Sequence, residues 1–432
     1  MSKTKSDRQT TPVETAEDPE VLAFRQQFDD QSPLDELVRL GAQRMLQEAI
    51  DFEVEDFVDR HRNRRDAAGR RRVVKNGSLP TREILTGAGP LEVTQGRVRD
   101  NSPPEDRVQF NPGVLPGYLR KSKAIEELIP WLYLKGISTN DFGEALQCLV
   151  GEKAKGLSPN VIVRLKEQWC DEWEEWSKRD LSEKEYVYVW ADGIYAKVRL
   201  EDDANKKQCI LVLMGATPDG KKELIAVLDG YRESKQSWLE LLLSLKPQGL
   251  QYSPKVAVGD GALGFWAAIR EAFPETREQR CWLHKTGNVL NCMPKSVQPK
   301  AKADIHEIWQ AESREDAEKA FDNFLEKYQA KYPAACTCLS KDRDVLLTFY
   351  DFPAEHWGHL RTTNPIESTF ATIRLRHRKT KGNGTRRASL AMMFKLAQSA
   401  SKRWKRLKGH KMISFVVEGR TFKDGILQES VA

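Results

Sequence analysis

From Ser368 through Val417 the chain has no aspartate or glutamate, although Lys and Arg recur throughout. A surface folded from that stretch has no acid of its own to neutralise it, which points to an anionic partner. Other absences narrow the field. No apolar run reaches the ~18 residues a membrane-spanning helix needs, so no membrane partner is expected. The N-terminus is polar and charged and lacks the apolar core of a secretion signal. The seven cysteines are an odd, scattered set, which argues against a disulfide framework. They read as reduced thiols in a cytoplasmic, nucleoid-associated protein. Cys281 and His284 have no second pair at finger spacing, so a zinc-dependent DNA-binding protein lacks its ligands. No short-period repeat is apparent, which argues against a solenoid.

The 432 residues allow two to four domains, and 40% hydrophobic with 31% charged residues predicts a chain that is mostly folded. Residues 1–31 are polar, without periodicity, and are expected to be disordered. Ser32-Pro33-Leu34-Asp35 is a helix-start signal. Leu37, Val38, Gly41, Met45, Ala49 and Phe52 then recur at helical spacing, predicting a helix to about Asp59. A basic run from Arg60 to Lys75 and short strands and loops over 76–121 complete a region spanning 32–121. Residues 122–180 read as three helices, compatible with a helix-turn-helix module or a plain bundle, with the helix from Pro159 as the expected reader of DNA.

Residues 181–284 change character. Val/Ile/Tyr-rich runs at 186–190, 194–199, 208–215 and 222–228 are separated by Asp192-Gly193, a charged loop at 201–207, and Thr217-Pro218-Asp219-Gly220. These turn signals predict three adjacent antiparallel strands. A helix over 234–245, a strand over 255–258, a helix over 263–273 and a strand over 280–283 follow, giving a mixed α/β sheet. Residues 285–350 read as helical, 351–411 hold the basic helix, and 412–432 form a tail.

Three acids stand out: Asp192 and Asp260 at the ends of apolar runs, and Glu367 at a helix start. Each has a structural explanation. Asp-Gly is a common turn, and Glu367, three residues after Asn364, fits a capping box. Together, beside a cationic tract, they suit another task. Carboxylates are preferred ligands of Mg²⁺ and Mn²⁺, and two such ions roughly 4 Å apart activate a nucleophile and stabilise a leaving oxygen.

The residues as a set resemble the Mutator-type transposases of bacterial insertion sequences. The carrying motifs are Trp190-Ala191-Asp192, Gly259-Asp260-Gly261, Arg280-Cys281-Trp282-Leu283-His284 and Arg361-Thr362-Thr363-Asn364-Pro365-Ile366-Glu367-Ser368. The spacings, 68 residues from Asp192 to Asp260 and 107 more to Glu367, fit a family with a helical insertion before its glutamate. Gly136-Ile137-Ser138-Thr139-Asn140-Asp141 and Leu157-Ser158-Pro159 resemble its upstream helical region.

The resemblance implies a DDE triad on an RNase H-like fold, interrupted by an insertion domain at 285–350. Asp192, Asp260 and Glu367 would be catalytic and would hold two Mg²⁺ or Mn²⁺ ions. Cys281 and His284 would be the signature pair near the site. The implied partners are double-stranded DNA, both the terminal inverted repeats and the target, with the enzyme a homodimer or higher oligomer on DNA. Arg71, Arg72, Lys75, Arg374, Arg376, Arg378, Lys379, Arg386 and Arg387 are the expected backbone contacts. An RNase H-like nuclease or resolvase that cleaves without joining is the first alternative. A domesticated DNA-binding regulator is the second.

Overall fold

A proline and two acids, Asp35 and Glu36, open the long helix α1 (Pro33–Arg60), and Arg60 closes it, all favourable to the helix dipole. The computed structural model of the chain describes residues 33–137, 142–150, 159–201, 207–230, 232–261, 263–379 and 384–428. The described residues fall into two compact units, the first running to Trp131 and resuming over 142–150, the second holding the rest. Residues 1–31 and the Ser138–Asp141 part of the family-like segment lie outside the described residues.

In the first unit, β1 (Val73–Ser78) pairs antiparallel with β4 (Gly96–Asp100), and β2 (Arg82–Thr86) with β3 (Gly89–Val93). Ile50 of α1 packs with Ile84, Val93 and Leu115 in a small core. Gln47 clips the strand turn to α1, donating to the Thr94 carbonyl at 2.7 Å and accepting from its N–H at 2.9 Å. The periodic residues that predict α1 turn out to be its outer face. Leu37, Val38, Met45 and Phe52 are exposed, whereas Ile50 and Val54 are buried. Helix α2 (Lys123–Lys135) crosses the boundary between the units, and α3 (Phe142–Val150) belongs to the first.

The third predicted helix, α4 (Pro159–Trp176), belongs to the second unit. Its Trp173 indole donates to the Val227 carbonyl at 3.1 Å, and Cys170 packs at Arg387. It also carries Glu167, Asp171, Glu172, Glu174 and Glu175 against only Arg164 and Lys166. Two of these acids pair with the basic tract, Glu174 with Arg387 and Glu172 with Lys395.

Five strands follow: β5 (Tyr188–Lys197), β6 (Lys207–Ala216), β7 (Lys222–Gly230), β8 (Val256–Gly259) and β9 (Arg277–Arg280). Their order in the sheet is β7-β6-β5-β8-β9, with the first three antiparallel and β8 and β9 parallel to β5. Two sequence-based boundaries need correction. Asp192-Gly193 is no turn; it lies inside β5, with Asp192 opposite Val212. The last strand ends at Arg280, because Trp282 already opens a helix.

Val189 and Ala191 of β5 and Leu211 and Leu213 of β6 bury one face of the sheet. They pack against α5 (Lys235–Leu245) and α6 (Leu263–Ala272) through Trp238, Leu242, Phe265 and Ile269. Each Val, Leu, Ile or Phe buried here is worth about 1.5–3 kcal/mol. Strand alternation turns Tyr188, Trp190 and Asp192 to the other face. There the Tyr188 hydroxyl meets His356 Nδ1 at 2.8 Å, and the Trp190 indole donates to the His359 carbonyl at 2.9 Å.

Helices α7 (Trp282–Asn291), α8 (Gln298–Gln310), α9 (Arg314–Tyr328), α10 (Pro333–Ser340) and α11 (Arg343–Leu346) confirm a helical stretch after the sheet. The short α12 (Trp357–Leu360) leads to α13 (Asn364–Lys379), α14 (Arg386–Ser401) and α15 (Ile413–Val417). A two-stranded ribbon, β10 (Phe422–Lys423) with β11 (Ile426–Leu427), ends the described chain.

Candidate active site

The parallel pairing of β5 with β8 stops at Ala191 and Gly259. The next residue on each strand is an aspartate, so Asp192 and Asp260 emerge side by side where the β8 ladder ends. Helix α7 then brings in His284. One ligand atom each from Asp192, Asp260 and His284 lie within 4.8 Å of one another.

Glu367 reaches the cluster through His284, whose Nε2 is 3.5 Å from Glu367 Oε1. Its carboxylate does not cap the helix as a capping box would. The Glu367 N–H donates to the Thr363 carbonyl at 3.0 Å, while Oε1 accepts from the Thr363 hydroxyl at 3.3 Å. Thr363 is fully buried and is the node of this corner. Its N–H donates to Cys281 Sγ at 3.3 Å, and its hydroxyl lies 3.5 Å from His284 Nδ1. The Trp282 N–H donates to the Arg361 carbonyl at 2.9 Å, so the start of α7 is tied to the segment that leads into α13. The Cys281 and His284 pair therefore links two of the acids to the third.

Electrostatics follow from this crowding. Burial, then the neighbouring Asp260 and Glu233, push the Asp192 carboxyl up to about 7, against the pull of His284. Its hydrogen bond with Cys281, and then the charges of Cys281, Asp192 and Asp260, raise His284 to about 9 despite burial. Burial alone would raise the Cys281 thiol, but hydrogen bonds from His284 and Thr363 outweigh it and hold the thiol below its ordinary range.

Glu233, which the sequence analysis does not single out, shares this electrostatic environment. Burial, then Asp260, push its carboxyl up to about 7 as well. The available signal was Gly193, since a glycine inside a strand often marks the close approach of another group.

These shifts set a pH dependence for the metal-free protein. The folded protein holds protons on Asp192 and Glu233 between about pH 4 and about pH 7, and the unfolded chain does not. A raised carboxyl value therefore means stability that falls as pH rises through that window. Urea denaturation in chelator should show the fall, on the order of a few kcal/mol. Asp192→Asn should flatten it, and an unchanged pH slope in that variant would contradict the assignment.

The expected DNA contacts divide. Arg71 is exposed and 3.4 Å from Asp59, Lys75 is 3.8 Å from Asp51, and Arg72 donates to the Arg65 carbonyl. Arg374 is exposed on α13. Arg376 is not available for a surface role: it is only 2% exposed, with its guanidinium 4.6 Å from the Tyr133 ring. The side chains of Arg378 and Lys379 are outside the described set. The acid-free tract also finds acids elsewhere. Arg386 bonds Asp229 at 3.0 Å, Arg387 bonds Glu174 at 2.7 Å, and Lys395 pairs with Glu172. No helix among the described residues is long and apolar enough to cross a membrane.

Residues 14–407 match the family model described as "Transposase, Mutator family". The transposase for insertion sequence element IS6120 of Mycolicibacterium smegmatis is 51% identical over 305 residues, 71% of this chain and 93% of the relative. That for IST2 of Acidithiobacillus ferrooxidans is 51% identical over 283 residues, 66% of this chain and 95% of the relative. That for IS256 in transposon Tn4001 of Staphylococcus aureus is 29% identical over 299 residues, 69% and 73% of the two chains. With the match covering most of its length, this chain belongs to the Mutator family of transposases.

Proposed function

We propose that the chain is a DDE transposase with an RNase H-like core, which binds the terminal inverted repeats of its insertion sequence, cleaves to expose 3′-hydroxyls and joins them to target DNA. The observation that carries the reading is the convergence of Asp192, Asp260 and His284 within 4.8 Å, with Glu367 next to His284. The strand order, three antiparallel strands followed by two parallel ones, supports the fold assignment.

The donor set fits Mg²⁺ or Mn²⁺. Clustered carboxylates repel one another and favour a cation between them, and these hard oxygen donors suit both ions. Asp192, Asp260 and Glu367 would hold the metal. A bound pair of such ions activates the attacking hydroxyl or water and stabilises the leaving oxygen. The chain's own part is positional. Strands β5 and β8 fix the two aspartates, and Thr363, Cys281 and His284 hold Glu367 towards them. Exposed Arg374, Lys402, Arg403 and Lys405 offer phosphate contacts that position a backbone without reading its sequence. Joining two element ends calls for at least two copies on DNA.

The test is to incubate purified protein with DNA carrying the element's own ends and Mg²⁺ or Mn²⁺, and to map the products. Nicks at the element boundary followed by joined strands are the expected outcome. Hydrolysis without joining would support the nuclease alternative, and end binding without nicks would support the regulator.

A further inference from the structure

Two glycines beside the aspartates have the same neighbour. Gly193 directly follows Asp192, and a Cβ built on it would lie 2.5 Å from Glu233 Cδ and Oε1. Any side chain at 193 would displace that carboxylate. Gly264, four residues past Asp260, does the same for the backbone. A Cβ there would lie 2.6 Å from the Glu233 carbonyl oxygen and from Lys235 N. The start of α6 is thus packed on the 233–235 segment, which Ser234 fixes further by capping α5. Strand alternation turns position 193 to the α5–α6 face, opposite Asp192. Glu233 therefore arrives from beneath the sheet, at the part of β5 that β8 no longer covers.

We propose that Glu233 is a fourth carboxylate of the metal site, binding a divalent cation together with Asp192 and Asp260. The inference rests on the metal-site reading given above and extends it to a residue outside the DDE set. Its charged neighbours are Asp260 and Asp192, which repel it, and His284, which attracts it. A half-buried glutamate whose carboxylate lies against Gly193, the residue after Asp192, adds a third acid to a corner with one imidazole to offset it, and that favours a cation there. The absent side chain at Gly193 lets this carboxylate reach that corner.

Calorimetric titration of Mn²⁺ into the metal-free full-length protein tests this without relying on activity. Glu233→Gln keeps the shape of the protonated side chain and should fold. It should bind Mn²⁺ about tenfold or more weakly than the parent. Gly193→Ala, which leaves Glu233 in the chain but pushes its carboxylate aside, should weaken binding in the same direction. Asp192→Asn separates the two levels of the argument. If it loses Mn²⁺ while both other variants bind with parental affinity, Glu233 is not a ligand and the triad reading stands. If all three variants bind like the parent, the metal site itself is wrongly placed and the proposal falls with it.

Discussion

Asp192→Asn should bind the element ends as tightly as the parent protein, within about twofold, and lose strand cleavage by about a thousandfold or more. The change is isosteric at a side chain 6% exposed, so the strand and its packing should survive. What it removes is a carboxylate able to ligate a cation at the point where two aspartates meet. Preorganised groups that stabilise charge in the transition state are each worth on the order of 10²–10³ in rate. A metal ligand also sets the ion's occupancy, which adds to the loss. Binding should be spared because phosphate contacts come from Lys and Arg on the surface and not from this acid. Gel-shift and nicking assays on the same DNA check both halves. Parallel loss of binding and cleavage would mean that the substitution unfolds the unit, and unchanged cleavage would remove Asp192 from the chemistry.

The largest stability effect should come from a residue outside the site. Asp342 accepts from Arg280 Nη1 at 3.0 Å and also pairs with Lys285. The Lys285 ammonium, fully buried, donates in addition to the Cys338 carbonyl at 2.6 Å. Arg280 is 5% exposed, and its guanidinium lies over Gly261, where a Cβ would come within 1.5 Å of it. One acid is therefore the shared partner of two interior cations on either side of Cys281 in sequence. Asp342→Ala should destabilise the fold by about 3–5 kcal/mol, the cost of leaving a buried charge uncompensated. Thermal or urea unfolding measures it, and a loss below about 1 kcal/mol would mean that water replaces the carboxylate. The same network joins the helical stretch after the sheet to the β9–α7 corner, so activity should fall with stability.

Much of this was legible in the residues, and the failures have physical causes. The β6–β7 hairpin announced itself through Thr217-Pro218-Asp219-Gly220, whose Gly220 takes a φ of 78°. The short strand before Asp260 showed as an apolar run bounded by turn residues. Asp192-Gly193 misled because the same dipeptide that makes a hairpin turn here marks where a second carboxylate approaches a strand. Glu233 was hidden because an acid ahead of a Ser-capped helix looks like an ordinary partner of the helix dipole. The basic tract was readable as charge but not as surface. Nothing local reveals that Arg376 turns inward to Tyr133, or that acids on α4 and β7 neutralise Arg386, Arg387 and Lys395. The outward apolar face of α1 followed the helical period correctly, but period alone does not say which of two stripes meets the core.

The most direct test of the central claim is to locate the metal. Crystals of the protein with its element-end DNA and Mn²⁺, measured at the manganese absorption edge, report the ion's position independently of activity. The account predicts anomalous density among the carboxylates of Asp192, Asp260 and Glu367, as one ion or as two roughly 4 Å apart. Density centred on Cys281 and His284 without the acids, or none near Asp192 at saturating Mn²⁺, would contradict it.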